Sequence, residues 1–239
     1  MAKNQVADLG ASTDKQDFMA VLETTVKSIG ASWNALKLNI GTFLGFIVAI
    51  IAVQIIAFIF IFAAIFNMAA TGSVNAFALL FLVLIGLALI LVSLIISIGV
   101  IHTQIASVRG EHIGFSKVVE DTKPLIFRYL GLSILYAIII FVGFLLLIIP
   151  GILAAFFLSM SMYILVDQNT GVIESLKKSY ELVKGHWMVI LALAIVYVGI
   201  SLINAIFSFI PVIGWIPGLV LSVAYFCLPA LIYTKIVGK

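Results

Sequence analysis

The chain holds one cysteine, Cys227, and three histidines, so the residues that most often ligate metals or cross-link a fold are almost missing. A single cysteine forms no intrachain disulfide. His102, His112 and His186 do not share metal-ligand spacing, and no cofactor is expected. No Gly-x-Ser-x-Gly elbow, phosphate-binding glycine loop or paired-carboxylate motif appears, which argues against an enzyme. Charge is scarce too. Only 10% of the 239 residues are Asp, Glu, Lys or Arg. They form no long Lys/Arg run, so nucleic acid is not an expected partner. The polar N-terminal stretch has no short apolar region followed by a small-residue cleavage site, so no signal peptide is expected.

What is there is apolar. The chain is 64% hydrophobic, with a mean hydropathy of +1.31. No water-soluble domain of this size covers itself with so little polar surface. Several runs reach the roughly 20 residues that cross a hydrocarbon core of about 30 Å. The expected spans are Phe43–Phe66, Phe77–Ile101, Tyr129–Ile149, Ile152–Val166, Trp187–Ile210 and about Gly218–Ile236. The fourth is short: its residues rise only about 22 Å as a helix. Pro150-Gly151 is therefore either a turn between two spans or a kink in one long helix.

Charge chooses between these. Lys and Arg near short loops are retained on the cytoplasmic side. With six spans and the N-terminus inside, all 13 Lys and Arg and all 10 Asp and Glu fall on the inner side. The outer connections "NMAATGSVN", "IPG" and "IPVIGWIP" carry none. Five spans would move Lys177, Lys178, Lys184, Lys235 and Lys239 outside. The expected fold is an all-α integral membrane protein with six transmembrane helices and both termini cytoplasmic. It is one domain over 1–239, with a cytoplasmic segment at 1–42 and a six-span bundle at 43–236.

Between the fourth and fifth runs lies "GVIESLKKSYELVKGHW", a charged stretch between two apolar walls. At 100° per residue, Val172, Val183, Leu176, Trp187, Tyr180 and Ile173 share one arc, and Lys184, Lys177, Glu181, Glu174 and Lys178 fill the next. Asn169 or Thr170 is placed to cap its start, and Gly185 to end or bend it. The pattern fits a helix at about 171–185 in the membrane interface, with Tyr180 and Trp187 at headgroup level. Packing of the same stripe on the protein's own helices is the other reading. Two earlier segments repeat the pattern. "DFMAVLETTVKSIGASW" spaces Phe18, Leu22, Thr25, Ile29 and Trp33 helically, and "GFSKVVEDTKP", at about 113–123, does so for Phe115, Val118, Val119 and Thr122, after which Pro124 breaks or restarts the helix. The chain thus reads as three units of interfacial helix plus transmembrane hairpin.

No span carries a charge near its centre, which weighs against an ion-coupled transporter. The polar residues in the spans are Gln54, Ser93, Ser97, Ser159, Ser161, Ser201 and Asn204. Gln54 and Asn204 are the costliest to leave facing lipid and are expected to face inward; a polar track, if present, runs through them. The Gly-x-x-x-Gly matches Gly41–Gly45 and Gly214–Gly218 lie at span edges and read as turn or close-packing glycines.

The stretch "IIPGILAAFFLSMSMYILVDQNTGVIESLKKSYELVKGHW" resembles a group of bacterial six-span proteins. It includes the YciC-like inner-membrane proteins and the membrane domain attached to some glycerophosphodiester phosphodiesterases. The group's hallmark is a Pro-Gly turn, a short span, an acidic residue near the inner edge and a helix of the form ALxxSxxLxxGxxW. Here Pro150, Gly151, Asp167, Leu176, Ser179, Leu182 and Gly185 match, with Ser175 where the group commonly has Ala. The resemblance implies six spans in the bacterial plasma membrane. The phosphodiesterase's catalytic domain is absent here, so it implies no enzymatic activity.

The residues thus point to a non-enzymatic membrane protein that organises lipid or a partner membrane protein through its inner-leaflet helices. A channel or carrier for an uncharged or amphiphilic solute, and a subunit of a larger complex, are the alternatives. With Cys227 replaced, a cysteine at Ser73 is expected to react with an impermeant reagent from outside the cell and one at Lys177 not to; the reverse result overturns the topology.

Overall fold

The computed structural model describes residues 18–71, 76–208 and 226–238, and all regular structure among them is helical. The helices are α1 (Phe18–Leu38), α2 (Ile40–Thr71), α3 (Ala76–Arg109), α4 (Phe115–Thr122), α5 (Ile126–Leu146), α6 (Ile148–Phe157), α7 (Ser161–Gln168), α8 (Val172–Gly185), α9 (Trp187–Ser208) and α10 (Leu228–Val237). Four runs are long and apolar enough to cross a membrane: Ile40–Asn67, Leu82–Arg109, Phe115–Leu146 and Ile148–Gln168. The bent pair Val172–Gly185 and Trp187–Ile203 makes a fifth. Most of the expected sixth span, the end of the fifth, and Gly214 and Gly218 lie outside the described residues.

Helix α3 is the hub. It touches α1, α2, α4, α5, α7 and α10. Its Leu94, Ile98 and Ile105 meet Leu132 of α5, Ile164 and Leu165 of α7, Ile190 and Leu193 of α9, and Ile232 of α10 in one buried core. That core sits toward the end carrying the charges. At the other end Phe58, Phe62 and Phe66 of α2, and Phe141 and Leu145 of α5, are exposed. Such tips lose little by facing hydrocarbon, because lipid tails are as apolar as they are.

Two expectations change at the hairpin. The reversal between α5 and α6 is made by Leu147, whose backbone is extended (φ −169°, ψ 154°), and not by Pro150-Gly151. Pro150 lies in the first turn of α6, where its missing N–H has no helical partner to lose. The fourth run accordingly starts earlier and reaches 21 residues, about 31 Å, so it is not short. At Pro124 the α-helix breaks and restarts as expected, without turning the chain. A 3-10 turn, Lys123–Leu125, carries α4 into α5, and Phe115–Leu146 forms one 32-residue run.

Glycines set the closest approaches. A Cβ on Gly143 would lie 2.8 Å from the Gly151 Cα, and one on Gly151 2.7 Å from the Phe144 ring. A Cβ on Gly45 would meet the Phe115 ring at 2.9 Å, whereas one on Gly41 meets nothing within 4 Å. Gly45 is thus a close-packing glycine. Replacing Gly143 with Ala is expected to destabilise the purified protein by about 1–3 kcal/mol, read as an earlier thermal transition in detergent. Gly86→Ala, with open space at its Cβ, is expected to leave that transition in place or raise it.

Candidate functional site: a polar layer beneath the amphipathic helices

Helix α8 starts without a side-chain cap at Gly171. Thr170 and Asn169, the expected caps, are occupied elsewhere. The Thr170 hydroxyl bonds that of Ser175 (2.7 Å). Asn169 closes α7 in the left-handed region (φ 51°) and takes Arg128 Nη1 on its carbonyl (3.1 Å) and its Oδ1 (2.7 Å). At the other end the helix stops at Gly185 and the chain turns by 94° into α9 at His186. If α9 crosses the bilayer, α8 lies along its surface.

The expected apolar arc of α8 divides in two. Leu176 and Val183 enter the core, together with fully buried Ser175 and Ser179. Ile173 (62% exposed) and Tyr180 (46%) point outward beside Lys177 and Lys184, and Trp187 is exposed at the head of α9. The packing reading of the stripe therefore holds for Leu176 and Val183, while Ile173, Tyr180 and Trp187 are exposed. Helix α1 divides likewise. Val21, Thr25, Ser28, Ser32 and Leu36 are buried, Phe18, Leu22 and Ile29 half-buried, and Met19, Val26 and Trp33 exposed. On its outer side Glu23 pairs with Lys27 at 2.6 Å, and that hydrogen bond and charge hold the Glu23 carboxyl below its ordinary range.

The buried serine of α8 has a specific task. Between α6 and α7 the helix breaks at Leu158–Met160, which frees backbone groups in a water-poor surrounding. Ser179 Oγ accepts a hydrogen bond from the Met160 N–H (3.2 Å) and donates one to the Phe157 carbonyl (2.9 Å). One hydroxyl thus bonds a backbone group on each side of the break. The Tyr180 ring packs on Phe157 beside it, 5.1 Å between centroids.

A second knot gathers around Asp167. Its side chain, 4% exposed, takes Arg109 Nη2 of α3 at 2.7 Å and the Tyr233 hydroxyl of α10 at 2.9 Å. Gln168 Nε2 donates to that hydroxyl (3.2 Å), and Lys178 of α8 donates to Gln168 Oε1 (3.1 Å) while pairing with Glu174 (2.9 Å). Four helices thus meet through one connected set of polar groups.

A third knot had no signal in the sequence reading. Asn39, between α1 and α2, donates from Nδ2 to Ser107 Oγ (2.9 Å) and the Glu111 carbonyl (2.8 Å), and accepts the Ile113 N–H (2.9 Å). Thr42 donates to the Ile113 carbonyl (2.7 Å). Nearby, Gln104 of α3 donates to the Phe226 carbonyl (3.0 Å) and accepts the Tyr163 hydroxyl (3.0 Å). Ser32 accepts the Cys227 N–H (3.1 Å). Only the polarity of these residues, beside otherwise apolar runs, marked them.

The expected polar track is corrected at one of its two members. Gln54 lies on the exposed side of α2, a helix barely covered by the rest of the chain. Asn204 falls within α9, and its side chain lies outside the described set. The span serines bond their own helices: Ser93 to Ile90, Ser97 to Ser93, Ser159 to Phe156, Ser161 to Leu158 and Ser201 to Tyr197, all at 2.7–2.8 Å. Among the described residues no three His, Cys, Asp or Glu side chains gather as a metal site.

A family model described as "Domain of unknown function (DUF7847)" matches residues 105–235. The chain belongs to this family. The match takes in Arg109, Asp167, Ser179 and Tyr233, so the Asp167 knot and the Ser179 bridge both lie inside the family's region. A UPF0259 membrane protein of Pectobacterium carotovorum subsp. carotovorum (strain PC1) is 32% identical over 77 residues, which is 32% of this chain and 31% of that protein. The aligned part is therefore about a third of the relative's length. No solved structure matches. The relative and the apolar helices together make this a multi-pass membrane protein.

Ser179→Ala is expected to cost about 1–3 kcal/mol, the penalty for leaving buried backbone groups unpaired. Amide exchange in α6 and α7 measures it, and rates equal to wild type at Met160 overturn the bridge.

Proposed function

We propose that the protein is a non-enzymatic, six-span protein of the bacterial plasma membrane, with both termini cytoplasmic, that organises inner-leaflet lipid through its amphipathic helices. The observation that carries this reading is the division of α1 and α8. Each fixes one face by buried hydroxyls and core side chains, and each presents the other face, aromatic and cationic, at the charged end of the bundle. Anionic lipid attracts cations on that side of the membrane, and aromatic rings settle at headgroup depth.

The channel reading loses support because the span serines are committed to their own backbones and Gln54 faces outward. Membership in a larger complex is a second reading, favoured by the nearly uncovered apolar surface of α2.

Native mass spectrometry of the protein, extracted with its own membrane lipid, decides between them. The lipid reading expects stoichiometric phospholipid on the intact chain. A stoichiometric second protein with no retained lipid supports the complex reading instead, and a bare chain overturns both.

A further inference from the structure

Two exposed pairs recur at equivalent places. Near the end of α1, Lys37 Nζ sits over the Trp33 ring, 5.3 Å from its centroid; near the end of α8, Lys184 Nζ sits over the Tyr180 ring at 5.9 Å. In both cases the lysine follows the aromatic residue by four positions, one helical turn, so the two side chains share a face. In both cases the helix leads within three residues into a long apolar helix, at Ile40 or at Trp187. We propose that Trp33–Lys37 and Tyr180–Lys184 are two equivalent binding sites for the headgroup of an anionic phospholipid. The proposal rests on the lipid reading above and gives it a ligand class, a location and a count.

Charge separates these lysines from their neighbours. Lys27, Lys178 and Arg109 are already paired with Glu23, Glu174 and Asp167. Among the described residues Lys37 and Lys184 have no carboxylate within ion-pair distance. A net-neutral headgroup brings its own ammonium to compete for its phosphate, whereas an anionic one offers the phosphate unopposed. The helix dipole accounts for a lysine in a last turn, but not for an exposed ring beneath it, twice. The rings do not roll inward, because Ser28 and Ser32 on α1, and Ser175 and Ser179 on α8, hold the opposite faces in the core. Lys177, seven residues before Lys184, adds a second cation to the α8 face.

The third junction lacks the device. Lys123 follows Val119 at the same spacing, and α4 runs on into α5 through the 3-10 turn. The count is therefore two.

The test places the full chain in nanodiscs of phosphatidylcholine mixed with phosphatidylglycerol and counts retained lipid by native mass spectrometry. Wild type is expected to hold two phosphatidylglycerols per chain. Lys37→Gln and Lys184→Gln are each expected to weaken one site about fivefold, the loss of one cation near an anionic surface, and the double variant to weaken both. Lys37→Arg and Lys184→Arg are expected to keep both, as are Lys27→Gln and Lys123→Gln; helical content by circular dichroism confirms folding of each. Phosphatidylglycerol retained equally by the double variant overturns these sites and leaves the lipid reading standing. No preference for phosphatidylglycerol over phosphatidylcholine overturns the proposed ligand class. No retained lipid of either kind overturns the lipid reading as well.

Discussion

A chain in hydrocarbon has no water to complete the hydrogen bonds that its backbone leaves open, so every break in a helix must be closed from within. Here, at the break between α6 and α7, Ser159 and Ser161 bond the Phe156 and Leu158 carbonyls, and Ser179 Oγ of α8 serves a donor and an acceptor at once. Much else follows from that bond. Helix α8 cannot rotate without reopening the break, so Leu176 and Val183 stay in the core while Ile173 and Tyr180 stay outside. A charged helix between two apolar walls is thereby a structural part of the fourth run and a surface at the same time.

The knots around Asp167 and Asn39 extend the same logic over longer range. The Arg109–Asp167 pair joins a buried carboxylate to a guanidinium that is 25% exposed, so it adds little net stability. Its effect is on register. Asp167 lets α3, α7 and α10 meet in one arrangement, with the Tyr233 hydroxyl oriented by the carboxylate. Asn39 does the same between the start of α2 and the loop after α3. These ties sit where the core sits. At the far end Phe58, Phe62, Phe141 and Leu145, with no hydrophobic drive between helices in lipid, remain exposed.

The sequence was most readable where one physical rule dominated. Apolar run length located the spans that are described, and the 3.6-residue period located α1 and α8 within a few residues. The Pro-Gly turn was misread because proline is tolerated in a first turn as well as in a loop, and only the backbone shows that Leu147 reverses the chain. Gln54 was placed inward on the cost of an amide in lipid, but α2 contributes too little buried surface for an inward side to exist around it. The Asn39 knot joins groups about seventy residues apart, and no local spacing encodes that. Ser179 was visible as a match to a motif, but its partners depend on how α8 crosses the break.

The charged segments α1, α4 and α8 are consequently unequal in mechanics. Helix α8 meets α9 at 94°, whereas α4 continues into α5 as one run. Helix α1 packs on α3, α9 and α10 through a stripe of hydroxyls, small enough for close approach and each able to bond a carbonyl of its own or a neighbouring turn. A straight junction makes the amphipathic segment an extension of the span, so α4 spends its buried face, Val118 and Thr122, on α2 and α3. A bent junction lays the segment across the end of the next helix, where one face is fixed by the core and the other is exposed. Bend angle, set by where the helical hydrogen bonds are interrupted, therefore decides which of these segments keeps an exposed face at an angle to the next helix and which continues into it as one apolar run.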